Sequence, residues 1–96
     1  MASMLQKAKQ MQEDMKTAQQ EIKLISCQGI AASGAVKVTL SGQYQTTSIE
    51  IDDSLLDDKN LLEDLITTAY NDASAQVKEI SDEKLRSATG GINLPF

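Results

Sequence analysis

The longest unbroken pattern in the chain is a seven-residue repeat at its start. Met4, Ala8, Met11, Met15, Ala18, Ile22 and Ile25 are separated by 4, 3, 4, 3, 4 and 3 residues, and no Gly or Pro occurs before Gly29. Steps of four and three keep apolar side chains on one side of an α-helix, so the spacing predicts a helix over residues 3–25 with a heptad seam. Ser3 is placed to cap its first turn, and Gln6, three residues on, completes a capping box. At 1.5 Å per residue such a helix is about 35 Å long, longer than a small domain needs to cross its own core. It must therefore project from the body or pack along another long helix. Met and Ala dominate the seam, and they bury less area than Leu while adapting to irregular neighbours.

Periodicity changes from helical to alternating after residue 25. Val36, Val38 and Leu40 alternate with Lys37 and Thr39, and Ile49 and Ile51 alternate with Ser48 and Glu50. This pattern predicts three short strands near residues 26–32, 35–41 and 44–52, with turns at Ser33-Gly34 and Gly42-Gln43. A two-residue loop at Gly42-Gln43 would keep both apolar sets on one face of an antiparallel meander. The phase of the first strand stays open, because Gly29, Ala31 and Ala32 suit either face. The last third reads as a helix over residues 58–89, capped by Asp57 or Asp58, with an apolar stripe at Leu62, Leu65, Ile66, Ala69, Ala73, Val77 and Ile80. Gly90-Gly91 and Pro95 end it, leaving a short, partly apolar tail over residues 90–96.

These elements predict a single α+β domain over residues 1–96: a long N-terminal helix, a three-stranded antiparallel sheet and a long C-terminal helix. One helix can cover the sheet within a subunit. The second apolar stripe and the unpaired sheet edges predict a homodimer. A 96-residue chain with one Phe, two Tyr and no Trp has a thin aliphatic core, which a partner subunit would reinforce.

Charge and composition narrow the function classes. The net charge is −5, but residues 1–48 hold five Lys against three acids, a net of +2, while residues 49–96 hold four bases against eleven acids, a net of −7. An anionic partner must meet the first half or the extreme C-terminus. No stretch is apolar and long enough to span a membrane, and no signal-peptide pattern opens the chain, so the expected location is the cytoplasm. The single Cys27 forms no internal disulfide, and with no His in the chain it has no partner for nucleophilic chemistry. No nucleotide-binding glycine loop is present. The cluster Glu50, Asp52, Asp53, Asp57, Asp58 lacks the ligand order of a calcium loop and reads as helix capping. The expectation is a protein without catalytic activity, metal, cofactor or small-molecule substrate.

The order and spacing of several runs resemble the YbaB/EbfC nucleoid-associated proteins. These are Met11-Gln12-Glu13-Asp14-Met15, Gly34-Ala35-Val36-Lys37-Val38-Thr39 with Gly42, Ile49-Glu50-Ile51-Asp52, Ser54-Leu55-Leu56, Leu61-Leu62-Glu63-Asp64-Leu65-Ile66, Ala69-Tyr70-Asn71-Asp72-Ala73, and Gly91 to Leu94-Pro95-Phe96. The resemblance covers nearly the whole chain. It implies a tweezer-like homodimer with protruding helices that binds double-stranded DNA with low sequence preference in the nucleoid, organising it and affecting gene expression. Two features depart from the family pattern and lower the charge available for phosphate. Thr47 and Ser48 stand where members often carry basic residues, and no base follows Arg86.

The candidate DNA-binding residues are Lys7, Lys9, Lys16, Lys23, Lys84 and Arg86. Lys9, Lys16 and Lys23 recur every seven residues and form one stripe off the apolar seam, where they could follow a phosphate backbone. Lys7 lies closer to the seam. The plainer reading makes the stripe a solvated face, with Lys9 and Lys16 paired to Glu13. Lys84 and Arg86 suit the negative end of the last helix whatever the function, and would join a basic patch if the two helix ends meet. Lys37, on the polar sheet face, and Lys78, beside Glu79, read as surface charges. A competing function is an acidic protein-interaction module of the same fold, in which the second half recognises a basic partner. A third is a subunit of a larger coiled-coil assembly.

Overall fold

The computed structural model describes residues 2–88. Helix α1 (Ala2–Lys23) leads into strands β1 (Ser26–Ala31), β2 (Val36–Ser41) and β3 (Thr46–Ile51), and helix α2 (Lys59–Ala88) follows. The strands form one antiparallel sheet in the order β1-β2-β3. The molecule is a rod with extents of 68 × 21 × 17 Å. This α+β arrangement is the one that the change of periodicity predicts. Residues 89–96, including Gly90-Gly91 and the tail, lie outside the described residues.

The core is one face of β1 and β2 against the middle of α2. Val36, Val38 and Leu40 of β2 and Cys27 and Ala31 of β1 pack with Ala69, Ala73 and Val77 of α2. The side chains of Leu40, Val36, Val38 and Val77 are almost fully buried. Each such burial stabilises the fold by about 1.5–3 kcal/mol. Burial pushes the Cys27 thiol above its ordinary pKa. The open question of β1's phase is settled by Gly29. A Cβ there would lie 1.8 Å from the Ala69 carbonyl oxygen and 2.5 Å from the Ala73 nitrogen, so the α2 backbone rests directly on the strand. Only hydrogen fits between them.

The same close approach protects a sheet edge. The Ile30 backbone N–H donates to Asp72 Oδ2 at 3.0 Å, and Gln76 Nε2 donates to the Gln28 carbonyl at 2.9 Å. Side chains four residues apart on α2 thus hold one backbone donor and one acceptor of β1. The expectation that both sheet edges need a second copy is corrected for β1, whose edge α2 engages.

The β2–β3 connection also differs from the two-residue loop. The Tyr44 N–H bonds to the Ser41 carbonyl at 3.0 Å and the Ser41 N–H to the Gln45 carbonyl at 2.8 Å, with Tyr44 at φ 61°. This loop alone would place Ile49 on the wrong face. An irregularity beside Thr39 and Leu40 shifts the register by one, from Leu40↔Thr46 to Thr39↔Ser48, so that Val38 faces Ile49 and Val36 faces Ile51. The bulge restores the face that the longer loop would have lost.

One helix start differs from the sequence reading and the other agrees with it. α1 begins at Ala2, so Ser3 lies inside the helix and is not its cap. Of the two candidates at α2, Asp58 is the cap. Its Oδ1 accepts from the Leu61 N–H at 3.2 Å. Asp52 serves the preceding turn, accepting from the Ser54 N–H at 2.9 Å, and that bond holds its carboxyl below the ordinary 3.8. Two acids of the cluster are therefore engaged with backbone N–H groups.

Candidate nucleic-acid interface

α1 is anchored only at its C-terminal end. Ala18 is its one buried residue among those described, and the Ile22 carbonyl lies where a Cβ on Gly42 would fall. The Gly42 N–H donates to the Ile25 carbonyl at 3.1 Å, which ties the end of the helix to the β2–β3 turn. α2 runs antiparallel beside this end, and Lys84 Nζ meets Glu21 Oε2 at 3.3 Å. Counted from that pair at 1.5 Å per residue, α2 reaches only to the level of Thr17, and α1 continues about 20 Å beyond it. The helix both packs along a partner and projects.

The projecting arm carries the lysine stripe. Lys9, Lys16 and Lys23 are exposed, and their seven-residue spacing sets them about 10.5 Å apart on one face. Among the described residues the ion pairs are Lys59–Glu63, Lys78–Asp82 and Lys84–Glu21. Lys7, Lys9, Lys16 and Lys23 have no carboxylate partner among them, and the pairing of Lys9 and Lys16 with Glu13 is not formed. Asp14, the other acid of the arm, accepts from Gln10 Nε2 at 2.9 Å. On a helical wheel the stripe lies nearly opposite the face of Met11, Ala18 and Ile22. Lys7 is exposed on the seam side.

The remaining candidates differ in surroundings. Lys84 is about one-third exposed and its ammonium is held by Glu21. A pair 63 residues apart in sequence gives no local signal, so this partner was invisible to spacing. Arg86 is exposed in the last turn of α2. Lys37 stands half-buried on the sheet face away from α2, opposite Glu50 in register. Lys78 pairs with Asp82 one turn on, which raises its pKa, rather than with the adjacent Glu79. Asp72 and Gln76, which engage β1, were also missed. The small residues Gly29, Ala69 and Ala73 were the available sign that helix and strand backbones meet there.

Comparison with known proteins places this arrangement. The YbaB/EbfC DNA-binding family matches residues 1–92. Nucleoid-associated proteins of Polynucleobacter asymbioticus and Polynucleobacter necessarius subsp. necessarius are each 44% identical over 95 residues, covering 99% of this chain and 89% of theirs. The crystal structure of an uncharacterized protein from Helicobacter pylori superposes with a TM-score of 0.75 at 25% identity, covering 83% of this chain and 86% of that one. The match over nearly the full length, carried on the same helix–sheet–helix frame, makes this chain a member of the YbaB/EbfC DNA-binding family.

Proposed function

We propose that the protein is a nucleoid-associated, architectural DNA-binding homodimer whose α1 arms lie against the duplex. The observation that carries this reading is the exposed stripe Lys9, Lys16 and Lys23, without a carboxylate partner among the described residues, on a molecule of net charge −5. About 21 Å separates its ends, a length of duplex along which each strand carries about six phosphates. Contacts of this kind fix position without reading bases, so sequence preference is weak. Lys7 flanks the stripe. Lys84 and Arg86 stand near the end of α2, and Lys84 adds less because Glu21 already holds it. The setting is the cytoplasmic nucleoid, where such binding organises DNA and affects gene expression. No catalytic step enters the reading.

The dimer is supported by the side of the sheet opposite β1. Among the described residues β3 has no neighbouring strand on its outer edge, Ile49 is half exposed on its core-side face, and Leu56 and Leu61 are exposed nearby. An open edge beside an apolar face is what a second copy would cover.

The test replaces Lys9, Lys16 and Lys23 together with Glu. The expected result is loss of the gel shift on random-sequence duplex at micromolar protein, with sedimentation still reporting two chains. Unchanged affinity overturns the contact surface. No shift by the wild-type protein at physiological salt overturns the DNA reading in favour of the acidic interaction module, and a mass above two chains overturns the dimer.

A further inference from the structure

The arm's apolar seam raises a separate question. Ile25, Ile22 and Ala18 meet the body of the protein, and the same heptad pattern continues outward through Met15, Met11, Ala8 and Met4. α2 stops at the level of Thr17, so nothing among the described residues covers the outer part. Met4 is 76% exposed and Met11 is 40% exposed. Lys7 and Asp14 precede Ala8 and Met15 and flank the seam on one side, while Leu5 and Gln12 follow Met4 and Met11 and flank it on the other. Among the described residues Lys7 has no carboxylate partner and Asp14 no ammonium partner. Four apolar positions in a row on a projecting helix are an unusual surface for water.

We propose that this seam docks on the same seam of a second copy, antiparallel, and so joins DNA-bound dimers that face one another, a step that rests on the DNA-binding reading above. One register uses the whole free stretch. Met4 lies level with the second copy's Met15, Ala8 with its Met11, Met11 with its Ala8 and Met15 with its Met4, so a small side chain faces a large one in both middle layers. On one flank this register sets Lys7 against the second copy's Asp14, twice by symmetry, and on the other it sets Leu5 against Gln12. It also brings the start of the helix, Ala2, level with the second copy's Thr17, where α2 ends, so each arm fills the free length of the other without meeting its α2. A shift of one heptad inward would set Asp14 against Asp14 and would need Ala18, which the body already buries. A shift outward leaves only Met4 and Ala8 in contact. Parallel pairing sets Lys7 and Asp14 against Gln12 and Gln19 and forms no ion pair. Lys9 and Lys16 follow Ala8 and Met15, about 100° further round the helix, and stay outside the contact. Two heptads of Met and Ala make a small interface, below about 1,200 Å², of the weak class. Free dimers at micromolar concentration therefore stay apart. Neighbours held on one DNA reach an effective concentration near millimolar, and there the arms pair.

The test uses two full-length variants, Met4→Cys and Met15→Cys, and a short bis-maleimide. The native Cys27 is buried, and the wild-type chain measures its background. In the proposed register the two new thiols face each other, whereas two copies of either variant hold theirs about 16 Å apart along the helix. The expected result is linkage in the mixture of the two variants on random-sequence duplex, none with either variant alone, and none in the mixture at micromolar protein without DNA. Adding Asp14→Lys to both variants should reduce the linkage severalfold, and adding Lys7→Glu as well should restore it. If a cysteine variant folds poorly, the same loss and rescue should appear in the cooperativity of the gel shift with the cysteine-free chain. No linkage on a duplex that the protein does shift overturns the seam, as does linkage indifferent to the charge exchange. Linkage of like variants alone overturns the antiparallel register. Linkage without DNA, at a mass of two chains, overturns the joining of dimers by placing the contact within one. Linkage of the mixture at millimolar protein, with no shift of any duplex, keeps the seam and overturns only the DNA reading, so the two failures are distinguishable.

Discussion

The two helices make opposite use of similar patterns. α2 is the more acidic, yet its middle is the most buried part of the molecule: Ala69, Ala73 and Val77 are fully buried. α1 has the more regular apolar repeat, yet among the described residues it buries only Ala18. The difference lies in what each helix faces. α2 lies across a sheet whose strand carries Gly29, and small residues on both sides let the backbones approach. α1 meets the body only through its last turns, where Gly42 admits the Ile22 carbonyl. A repeat reports which side of a helix is apolar. Burial depends on whether another surface reaches it.

The largest effect should come from spoiling the close approach in the buried helix. Gly29→Val puts a side chain where the Ala69 carbonyl and Ala73 nitrogen already sit, and should cost about 3 kcal/mol or abolish the cooperative transition in urea denaturation. Next, truncation should separate the helices. Val77→Ala on α2 should cost about 2 kcal/mol, whereas Leu5→Ala on α1, at an exposed position, should stay within about 0.5 kcal/mol. Equal losses at the two sites would contradict the division into body and arm.

These contrasts show where the sequence was readable. The order of elements, the core face of β2 and the stripe of α2 followed from periods of two and 3.6, because local geometry sets which side chains share a face. The shared apolar face of β2 and β3 was right in outcome and wrong in mechanism, since the two-residue loop would have set Val36 opposite Ile49 and not Ile51. The loop is longer than two residues, and the bulge that compensates has no composition signal. The lysine stripe was legible as a spacing. Its lack of ion pairs was not, because Glu13 stands within helical reach of Lys9 and Lys16. The Lys84–Glu21 pair and the hold of Asp72 and Gln76 on β1 join residues 42 to 63 positions apart, and only the fold brings them together.

Smaller changes refine the picture of the body. Asp72→Ala leaves the Ile30 N–H without its acceptor and should cost about 1 kcal/mol, with faster amide exchange at Ile30 as the local sign. The smallest effect concerns pH. The Asp52 carboxyl is held below 3.8 by the Ser54 N–H, so its contribution is present above that value and lost as pH falls through the depressed folded pKa. Asp52→Asn should therefore slightly reduce the acid sensitivity of unfolding below about pH 4, and leave the neutral-pH salt dependence of DNA binding unchanged.

The central claim is that lysines along one face of a projecting helix meet phosphates. Its most direct test is the slope of log affinity against log salt on random-sequence duplex DNA. Six such contacts in a dimer give a slope on the order of −5, about −0.9 for each phosphate neutralised. Replacing Lys9, Lys16 and Lys23 with Gln should flatten most of that slope while the denaturation midpoint stays put. A slope as steep in the variant as in the wild type would mean that the duplex is held elsewhere.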